Sequence, residues 1–441
     1  MPTTSNLFSR LKHGTAGYLS NLAAFSPNAR YYLLNAVITG AALGVFRLLF
    51  NFYVLSLGYD EALLGNLTTA TSLTALIAAL PMGYLADLIG RKRSLVAGSS
   101  AVVTAILVMV AFPTAWVLVA SNVLIGLGQS LSGVTMGPFL MENSGEKERV
   151  YLFSYSAGLQ TASASVGNWV GGKLPSWLGA LQSVSATSTP AYGASLLVIA
   201  LTASLGLIPL MKMRTLKDNG VQRTVFAPIH FFRSEPSLVG KLILPMLITS
   251  IGAGLIMPFM NVFFRNVHHQ TDSAIGGMFA LGTLAMGLGL LIAPPLADRF
   301  GKIQMVVFTQ ALSIPFLYLL GFSPLYPLAA GAYYFRLTLM NMSGPVYQTF
   351  VLEKVKPEAR ATIASLNSMA SNFGWAFSPT ISGILQVNYG FGMPFAGTIA
   401  LYTLSTLLYW FFFLKKGAPR LAPKSEQVAL AGNFTDDSSS D

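Results

Sequence analysis

Two related stretches, GYLADLIGRKRSL (Gly83–Leu95) and PPLADRFGKIQMV (Pro294–Val306), each stand between two long apolar runs. Their aspartates, Asp87 and Asp298, are 211 residues apart. Three further pairs of polar residues recur at intervals of 210 or 211 residues: Asn51 and Asn261, Glu142 and Glu353, and Arg149 and Arg360. Chance rarely produces several matched polar positions in apolar sequence. The chain is therefore predicted to contain two copies of one unit.

The composition is that of a protein that crosses a membrane many times. Of the 441 residues, 53% are hydrophobic and 10% are charged, with a mean hydropathy of +0.59. A soluble domain normally carries about 25% charged residues. The chain has no cysteine, which excludes disulfides and thiolate metal sites. The polar, basic N-terminus leads into no short apolar core with a cleavage site, so we expect no cleaved signal peptide.

A membrane-crossing helix needs about 20 mostly apolar residues, and this window predicts an all-α membrane protein with twelve spans. They cover residues 31–57, 63–86, 94–112, 115–141, 151–174, 191–211, 241–264, 274–297, 303–322, 325–352, 361–386 and 393–414. The predicted organisation is an N-terminal segment (1–30), a six-helix bundle (31–211), a polar linker (212–240), a second six-helix bundle (241–414) and a disordered tail (415–441). Repeated six-helix halves are a known transporter architecture, with the substrate site between the halves.

The lysines and arginines predict the orientation of these spans. Of the 27, we assign 23 to one side of the membrane, and such residues are retained on the cytoplasmic side. Both termini, the linker and the tail are therefore predicted to be cytoplasmic, in a multi-pass protein of the cell membrane. The net charge of +11 then reflects topology, and we expect no nucleic-acid partner.

The loop between the second and third spans resembles the signature of the major facilitator superfamily, G-x-L-a-D-r-x-G-R-K-x-x-L. The first copy fits it at Gly83, Leu85, Asp87, Gly90, Arg91, Lys92 and Leu95, with Leu88 in place of the usual basic residue. The second copy keeps Leu296, Asp298, Arg299, Gly301 and Lys302. The resemblance covers nearly the whole chain and implies the fold of that superfamily.

The resemblance also implies a gate at the cytoplasmic ends of the helices. In the family, the loop aspartate meets a helix N-terminus, where the positive end of the dipole favours an anion, and the basic residues pair with an acidic residue ending helix 4. The implied gating residues are Gly83, Asp87, Gly90, Arg91, Glu142 and Arg149 in the first half, and Asp298, Lys302, Glu353 and Arg360 in the second.

Two arginines are the only ionisable residues that the sequence places deep within predicted spans. Arg47 lies in helix 1 and Arg336 in helix 10, each about 5 Å to the outer side of the membrane centre at 1.5 Å per residue. A central arginine costs about 2.5–3.5 kcal/mol and usually marks a substrate or ion pathway. No acidic residue lies in the middle of a span, so a bound anion is the natural counter-charge. Alternatively, either arginine contacts a backbone carbonyl or extends to the interface.

Polar residues on the helices that line the central cavity of the family complete the predicted substrate site. Asn51 follows Arg47 by one helical turn and shares its face. The other candidates are Asn122 on helix 4, Asn261 on helix 7, and Gln348 on helix 10. Each alone could equally make a hydrogen bond between helices.

The sequence departs from the proton-driven drug antiporters of the superfamily at two positions. Asn122 replaces the arginine of their R-x-x-x-G-x-G pattern, and Asn168 replaces the proline of G-P-x-x-G-G. Both changes weaken the case for proton antiport and for cationic drugs. The sequence has no G-x-x-x-x-G-K-[ST] phosphate loop and no catalytic or metal-binding constellation. We therefore expect neither an enzyme nor a cofactor.

The leading hypothesis is a transporter that moves a small organic or amphiphilic anion by alternating access and functions as a monomer. One alternative is efflux of neutral hydrophobic compounds, with the arginines as structural or coupling elements. The other is a non-transporting membrane sensor on the same fold, against which the two retained loop motifs argue.

Overall fold

A computed structural model describes residues 25–214, 236–355 and 360–415. These residues form helices and turns, and no strand occurs among them. Most of the predicted N-terminal segment, linker and tail lies outside the described residues.

The first half contains six helices, which we label α1 to α6. They are α1 (Pro27–Ser56), α2 (Glu61–Ile89), α3 (Arg91–Ala111), α4 (Ala115–Glu142), α5 (Glu146–Leu181) and α6 (Thr189–Leu205, continued after a turn by Leu207–Lys212).

The second half follows the same order. Its helices are α7 (Pro236–Ile256, continued by a 3₁₀ turn Met257–Phe259 and a helical piece Met260–Asn266), α8 (Asp272–Phe300), α9 (Lys302–Phe322), α10 (Tyr326–Glu353), α11 (Arg360–Tyr389) and α12 (Gly392–Tyr409, ending in a π-helical turn Trp410–Leu414). Within the described residues, nine helices are long and apolar enough to span a membrane. The more polar α5, α10 and α11 fall outside this set, so twelve spans stay a prediction.

Short polar side chains define where several helices begin. The Ser26 hydroxyl accepts a hydrogen bond from the backbone N–H of Ala29 (3.2 Å), and the Asp60 carboxylate accepts one from Leu63 (2.9 Å). Both satisfy N–H groups that a helix N-terminus leaves free. Gly90 joins α2 to α3 at φ +84°, and Gly301 joins α8 to α9 at φ +92°. Glycine takes this left-handed region at little cost, so the two copies of the loop make the same turn.

The helices of each half pack in the same pattern. In the first half the main pairs are α1 with α5, α1 with α6, α2 with α4, and α3 with α4; in the second they are α7 with α11, α7 with α12, α8 with α10, and α9 with α10. Each second-half pair is the equivalent of a first-half pair. The repeat seen in the sequence is therefore a repeat of packing.

The two halves meet mainly along α2 with α11 and α5 with α8. Glycines allow these approaches: a Cβ on Gly65 would lie 2.3 Å from the carbonyl oxygen of Pro379, and one on Gly172 would lie 2.6 Å from that of Asp272. Both contacts lie toward the end of the molecule where α2 and α8 begin, which we call the closed end.

The opposite end, where Arg91 and Lys302 begin α3 and α9, is here called the basic end. Among the described residues, the hydrogen bonds between the halves lie between the middle of the molecule and the closed end. Within the described part of the chain, the hydrogen bonds between the halves are therefore confined to this side of the molecule.

Candidate functional site

The two asparagines matched by the repeat hold α1 against α7. The Asn51 side-chain amide donates to Asn261 Oδ1 (2.9 Å) and to the carbonyl oxygen of Pro258 (2.7 Å). In return, Asn261 Nδ2 donates to the carbonyl oxygen of Leu48 (2.7 Å). Both asparagines are buried. In this conformation their amides join the two halves, and their role in substrate binding stays a prediction.

The break in α7 creates one of these acceptors. Pro258 has no backbone N–H and interrupts the regular helical ladder, and Met257–Phe259 takes a 3₁₀ turn instead. The carbonyl oxygen of Pro258 then accepts from Asn51 of the other half. Discontinuous helices with free backbone groups are a feature of transporter binding sites.

Arg336 of α10 is almost fully buried next to this break, at 2% exposure. Its Nη1 lies 3.1 Å from the sulfur of Met257, and its Nη2 donates to the hydroxyl of Tyr402 (3.1 Å). The guanidinium also lies 5.4 Å from the centre of the Tyr402 ring. Its Nε has no hydrogen-bond partner, and no ion pair to Arg336 occurs among the described residues. A guanidinium has five N–H donors, so most of its capacity to donate hydrogen bonds is unused.

Arg47 lies one helical turn before Asn51 on α1, and its side chain is exposed. Within the described part of the chain, no hydrogen bond or ion pair involves it. Met257 follows Arg47 by 210 residues and occupies the equivalent place in the second half. The Arg336 guanidinium thus contacts the repeat counterpart of Arg47.

The other two predicted substrate contacts are not brought to this place. Asn122 is buried and joins α4 to α2, accepting from the Thr71 hydroxyl (2.9 Å) while donating to the carbonyl oxygen of Leu118 (2.8 Å). Gln348 is exposed and lies twelve residues beyond Arg336, about 18 Å along α10 at 1.5 Å per residue. Substrate contact by either residue stays a prediction.

Five of the ten predicted gating residues form ion pairs at the basic end, three of them in the first half and two in the second. Arg91 pairs with Asp87 (2.6 Å) and with Glu142 (3.2 Å). Lys302 pairs with Glu353, and in both halves the partner on the fourth or tenth helix is 51 residues further along the chain. Among the ion pairs of the described residues at this end, none links one half to the other.

The remaining gating candidates are more varied. Within the described ranges, a Cβ on Gly83 would meet no atom within 4 Å, and the buried Nε of Arg149 has no hydrogen-bond partner. Asp298 is exposed. The side chain of Arg360 lies outside the described residues. A gating role for these positions stays a prediction.

Two features of the centre and closed end were not predicted from the sequence. Met257 and Tyr402 contact Arg336, but nothing in the sequence distinguishes them from other single residues in apolar spans. Arg265 and Asp272 form an ion pair that also contacts the first half. Their opposite charges, seven residues apart around a short loop, could have suggested the pair.

An apolar groove of about 500 Å³ lies between α3 and α4. Its lining residues are Val108, Phe112, Thr114, Trp116, Val117, Ala120, Ser121 and Leu124. None of them belongs to the arginine and asparagine site, and we assign the groove no part in it.

Known proteins resemble the chain over nearly its whole length. A family model of the Major Facilitator Superfamily matches residues 32–379 and 242–435. The "Multidrug resistance protein MdtG" of Proteus mirabilis is 26% identical over 389 residues, which is 85% of this chain and 93% of that protein.

Two solved structures share the fold. A bacterial homolog of the human lysosomal transporter Spinster, in an inward-facing and unoccupied conformation, gives a TM-score of 0.73 at 14% identity, covering 89% of this chain and 99% of that one. The nucleoside transporter NupG, in the structure of a mutant form, gives 0.72 at 13% identity, covering 88% and 100%. The chain therefore belongs to the Major Facilitator Superfamily, as a multi-pass transporter of the cell membrane and not an enzyme.

Proposed function

We propose that the chain transports a small organic or amphiphilic anion by alternating access, with Arg47 and Arg336 as the residues that bind it. The observation that carries this proposal is the Arg336 guanidinium, which is buried and has, among the described residues, only a sulfur and a phenol hydroxyl as hydrogen-bond acceptors. Removing the partner of a buried charge costs about 3–5 kcal/mol. A negatively charged ligand would supply the missing partner.

The position of Arg47 supports a shared site. It lies on the Asn51 face of α1, and Asn51 reaches α7 of the other half. Because Arg336 contacts Met257, the repeat counterpart of Arg47, we infer that both cations lie at one depth. Two guanidinium groups facing one space repel each other, and an anion between them would relieve that repulsion. Carboxylate and phosphate groups suit the planar fork of arginine.

The predicted orientation indicates which side of the membrane each end of the molecule faces. We propose that twelve spans cross the membrane with both termini and the basic end in the cytoplasm, as the lysine and arginine distribution indicates. The closed end then faces outward, and the conformation is open to the cytoplasm. The ion-pair clusters at Arg91 and Lys302 would lie where the opposite conformation closes, in keeping with the proposed gating role.

Efflux of neutral hydrophobic compounds is the second candidate. It is favoured by the name and full-length similarity of the Proteus mirabilis multidrug resistance protein. On this hypothesis Arg336 is a structural residue that holds α10 to α7 and α12. Transport of neutral compounds would then not depend on its charge.

Flux into proteoliposomes separates the two candidates. Purified wild-type protein is compared with Arg47→Gln, Arg336→Gln and Arg336→Lys on a panel of carboxylates, organic phosphates and neutral amphiphiles. We expect the glutamine variants to lose anion flux and Arg336→Lys to keep part of it, since lysine retains the charge but not the fork. Lys415→Gln is the matched control, because Lys415 lies over the Phe411 ring at the end of α12, thirteen residues beyond Tyr402.

Wild-type anion flux in folded Arg47→Gln and Arg336→Gln variants would overturn the anion proposal. Flux of neutral amphiphiles only, unchanged in all variants, would establish the second candidate. Absence of flux for every solute would contradict both.

A further inference from the structure

Four side chains form a compact cluster at the closed end. Arg265 lies in the last turn of α7, Asp272 is the first residue of α8, Tyr192 lies in the first turn of α6, and Phe52 lies in the last turns of α1. Two of these residues thus belong to each half. Tyr192 and Phe52 are fully buried, and the side chains of Arg265 and Asp272 are 21% and 9% exposed.

The contacts form a closed triangle covered by an aromatic ring. Arg265 and Asp272 make an ion pair. The Tyr192 hydroxyl donates to Asp272 Oδ2 (2.7 Å) and accepts from Arg265 Nη2 (2.5 Å). The Arg265 guanidinium carbon lies 3.3 Å from the centre of the Phe52 ring, well within cation–π range.

The backbone brings the two halves close enough for these contacts. A Cβ on Gly172 of α5 would lie 2.6 Å from the Asp272 carbonyl oxygen, and one on Gly276 of α8 would lie 2.5 Å from that of Asn168. The start of α8 therefore lies directly against α5, beside α6.

Asp272 is the only buried carboxylate in the described residues. When the halves separate at this end, Arg265 and Asp272 stay together on the second half, while Tyr192 and Phe52 leave with the first. The charge of each ion is still compensated after separation. What is lost is one hydroxyl with two charge-assisted hydrogen bonds, and two cation–π contacts, with the rings of Phe52 and Tyr192.

We propose that Tyr192 and Phe52 form a latch on the preformed Arg265–Asp272 ion pair, and that this latch sets how often the closed end opens. A salt bridge shared between the halves would leave unpaired buried charges on opening. The hydroxyl and ring bind the pair reversibly, so the latch can open during a transport cycle. The closed end is thereby favoured without being locked.

The absence of cysteine from the chain makes opening measurable. In Ser165→Cys the only thiol lies at the α5–α8 contact, because Ser165 is 6% exposed and its hydroxyl donates to the Ala280 carbonyl oxygen (2.9 Å). In Ser195→Cys the thiol lies inside the first half, where Ser195 is fully buried on α6 and bonds to Ala191 of the same helix. The first reporter detects separation of the halves, and the second detects general loosening.

The test is the maleimide labelling rate of each reporter in the purified full-length protein, with and without Tyr192→Phe. We expect Tyr192→Phe to raise labelling at position 165 about tenfold, as expected for lost hydrogen bonds to charged groups, and to leave position 195 unchanged. Phe52→Leu is the second variant and should act in the same direction. Tyr59→Phe is the matched control, since that hydroxyl lies within the first half, 3.3 Å from the Pro113 carbonyl oxygen.

An unchanged rate at position 165 in both latch variants would overturn the proposal. An equal rise at both reporters would also overturn it, because the hydroxyl would then stabilise the fold of the first half and not the contact between halves.

Discussion

The buried charge of Arg336 is stabilised by several contacts, each of which compensates only part of the cost of burial. A thioether is a weak acceptor, and the Tyr402 hydroxyl satisfies one donor. Aromatic contact adds about 2 kcal/mol or more when a cation is desolvated. These terms let the helix keep a buried guanidinium in the absence of ligand, while the free Nε keeps part of its binding capacity available.

His268 is the residue whose environment predicts a pH effect on stability. It lies in the loop between α7 and α8, buried among the rings of Phe263, Phe264 and Tyr326. Its Nε2 has no hydrogen-bond partner in the part of the chain that the structure describes. Burial lowers the pKa of His268 below its usual 6.5, and the neighbouring His269 lowers it further. The folded protein therefore favours the neutral imidazole.

The sign of the effect follows from this direction. The unfolded chain binds a proton at His268 more readily than the folded protein does, so this contribution to stability is complete above about pH 6.5 and is lost as the pH falls. We expect the melting temperature, followed by tryptophan fluorescence, to decrease between about pH 7.5 and 5.5, and to decrease less in His268→Phe. His269→Asn, at an exposed position with φ +52° that asparagine tolerates, should lessen the decrease only slightly, because it removes the smaller of the two causes. An equal pH slope in His268→Phe and wild type would contradict the prediction.

At the scale of the helices, the sequence predicts positions along the chain better than contacts across it. The window that finds α5 over residues 151–174 misses both ends of a helix that runs from Glu146 to Leu181. The first end is charged and falls outside the apolar run, and the second begins at Pro175, where the sequence suggests a break that the helix does not make. The repeat identifies Asn51 and Asn261 as a pair. It does not reveal that they bond to each other, because that depends on how α1 and α7 face one another.

The same limit applies to the centre of the site. The depths of Arg47 and Arg336 can be counted from the sequence, since both lie on helices of regular rise. The contact of Arg336 with Met257 joins residues 79 positions apart on α10 and α7, and depends on the 3₁₀ turn at Pro258. A proline in an apolar span indicates that the helix is interrupted, but it does not indicate which side chain of another helix will contact the interruption.

Helix α4 offers a matched pair of glycines for testing close packing. A Cβ on Gly128 would lie 2.5 Å from the carbonyl oxygen of Gly98 on α3, whereas one on Gly133 would meet no atom within 4 Å. Overpacking costs about 1–3 kcal/mol, while alanine gains about 1 kcal/mol over glycine in a helix interior. We expect Gly128→Ala to lower the melting temperature by several degrees and Gly133→Ala to leave it unchanged or raise it. Equal effects of the two would contradict close α3–α4 packing at Gly128.

At the scale of the whole molecule, the polar contacts at the two ends differ in which helices they connect. The closed end uses glycine-mediated backbone approaches and buried polar contacts between halves, including those of Asn51 and of Tyr192. At the basic end the described ion pairs lie inside one half each. They therefore fix the arrangement of helices within each half and do not oppose separation of the halves in this conformation.

This arrangement predicts that the basic-end pairs affect transport more than stability. Lys302 and Glu353 are 31% and 52% exposed, and exposed pairs contribute about 0–1 kcal/mol. We expect Lys302→Gln to change the melting temperature little but to slow transport. Without the ion pair, the start of α9 and the end of α10 would be misplaced when the halves close at this end. Flux in proteoliposomes and thermal unfolding are measured on the same preparations.

The swapped variant Lys302→Glu with Glu353→Lys distinguishes the pair from its individual charges. If transport requires the ion pair that holds α9 to α10, the swap should recover most of the flux that Lys302→Glu alone removes. If Lys302 instead contacts the other half when the basic end closes, the swap places a negative charge at that contact and flux stays low. Wild-type flux in Lys302→Glu itself would remove the residue from the gate, leaving Arg91, which pairs with two carboxylates in the first half, as the gating cation to test.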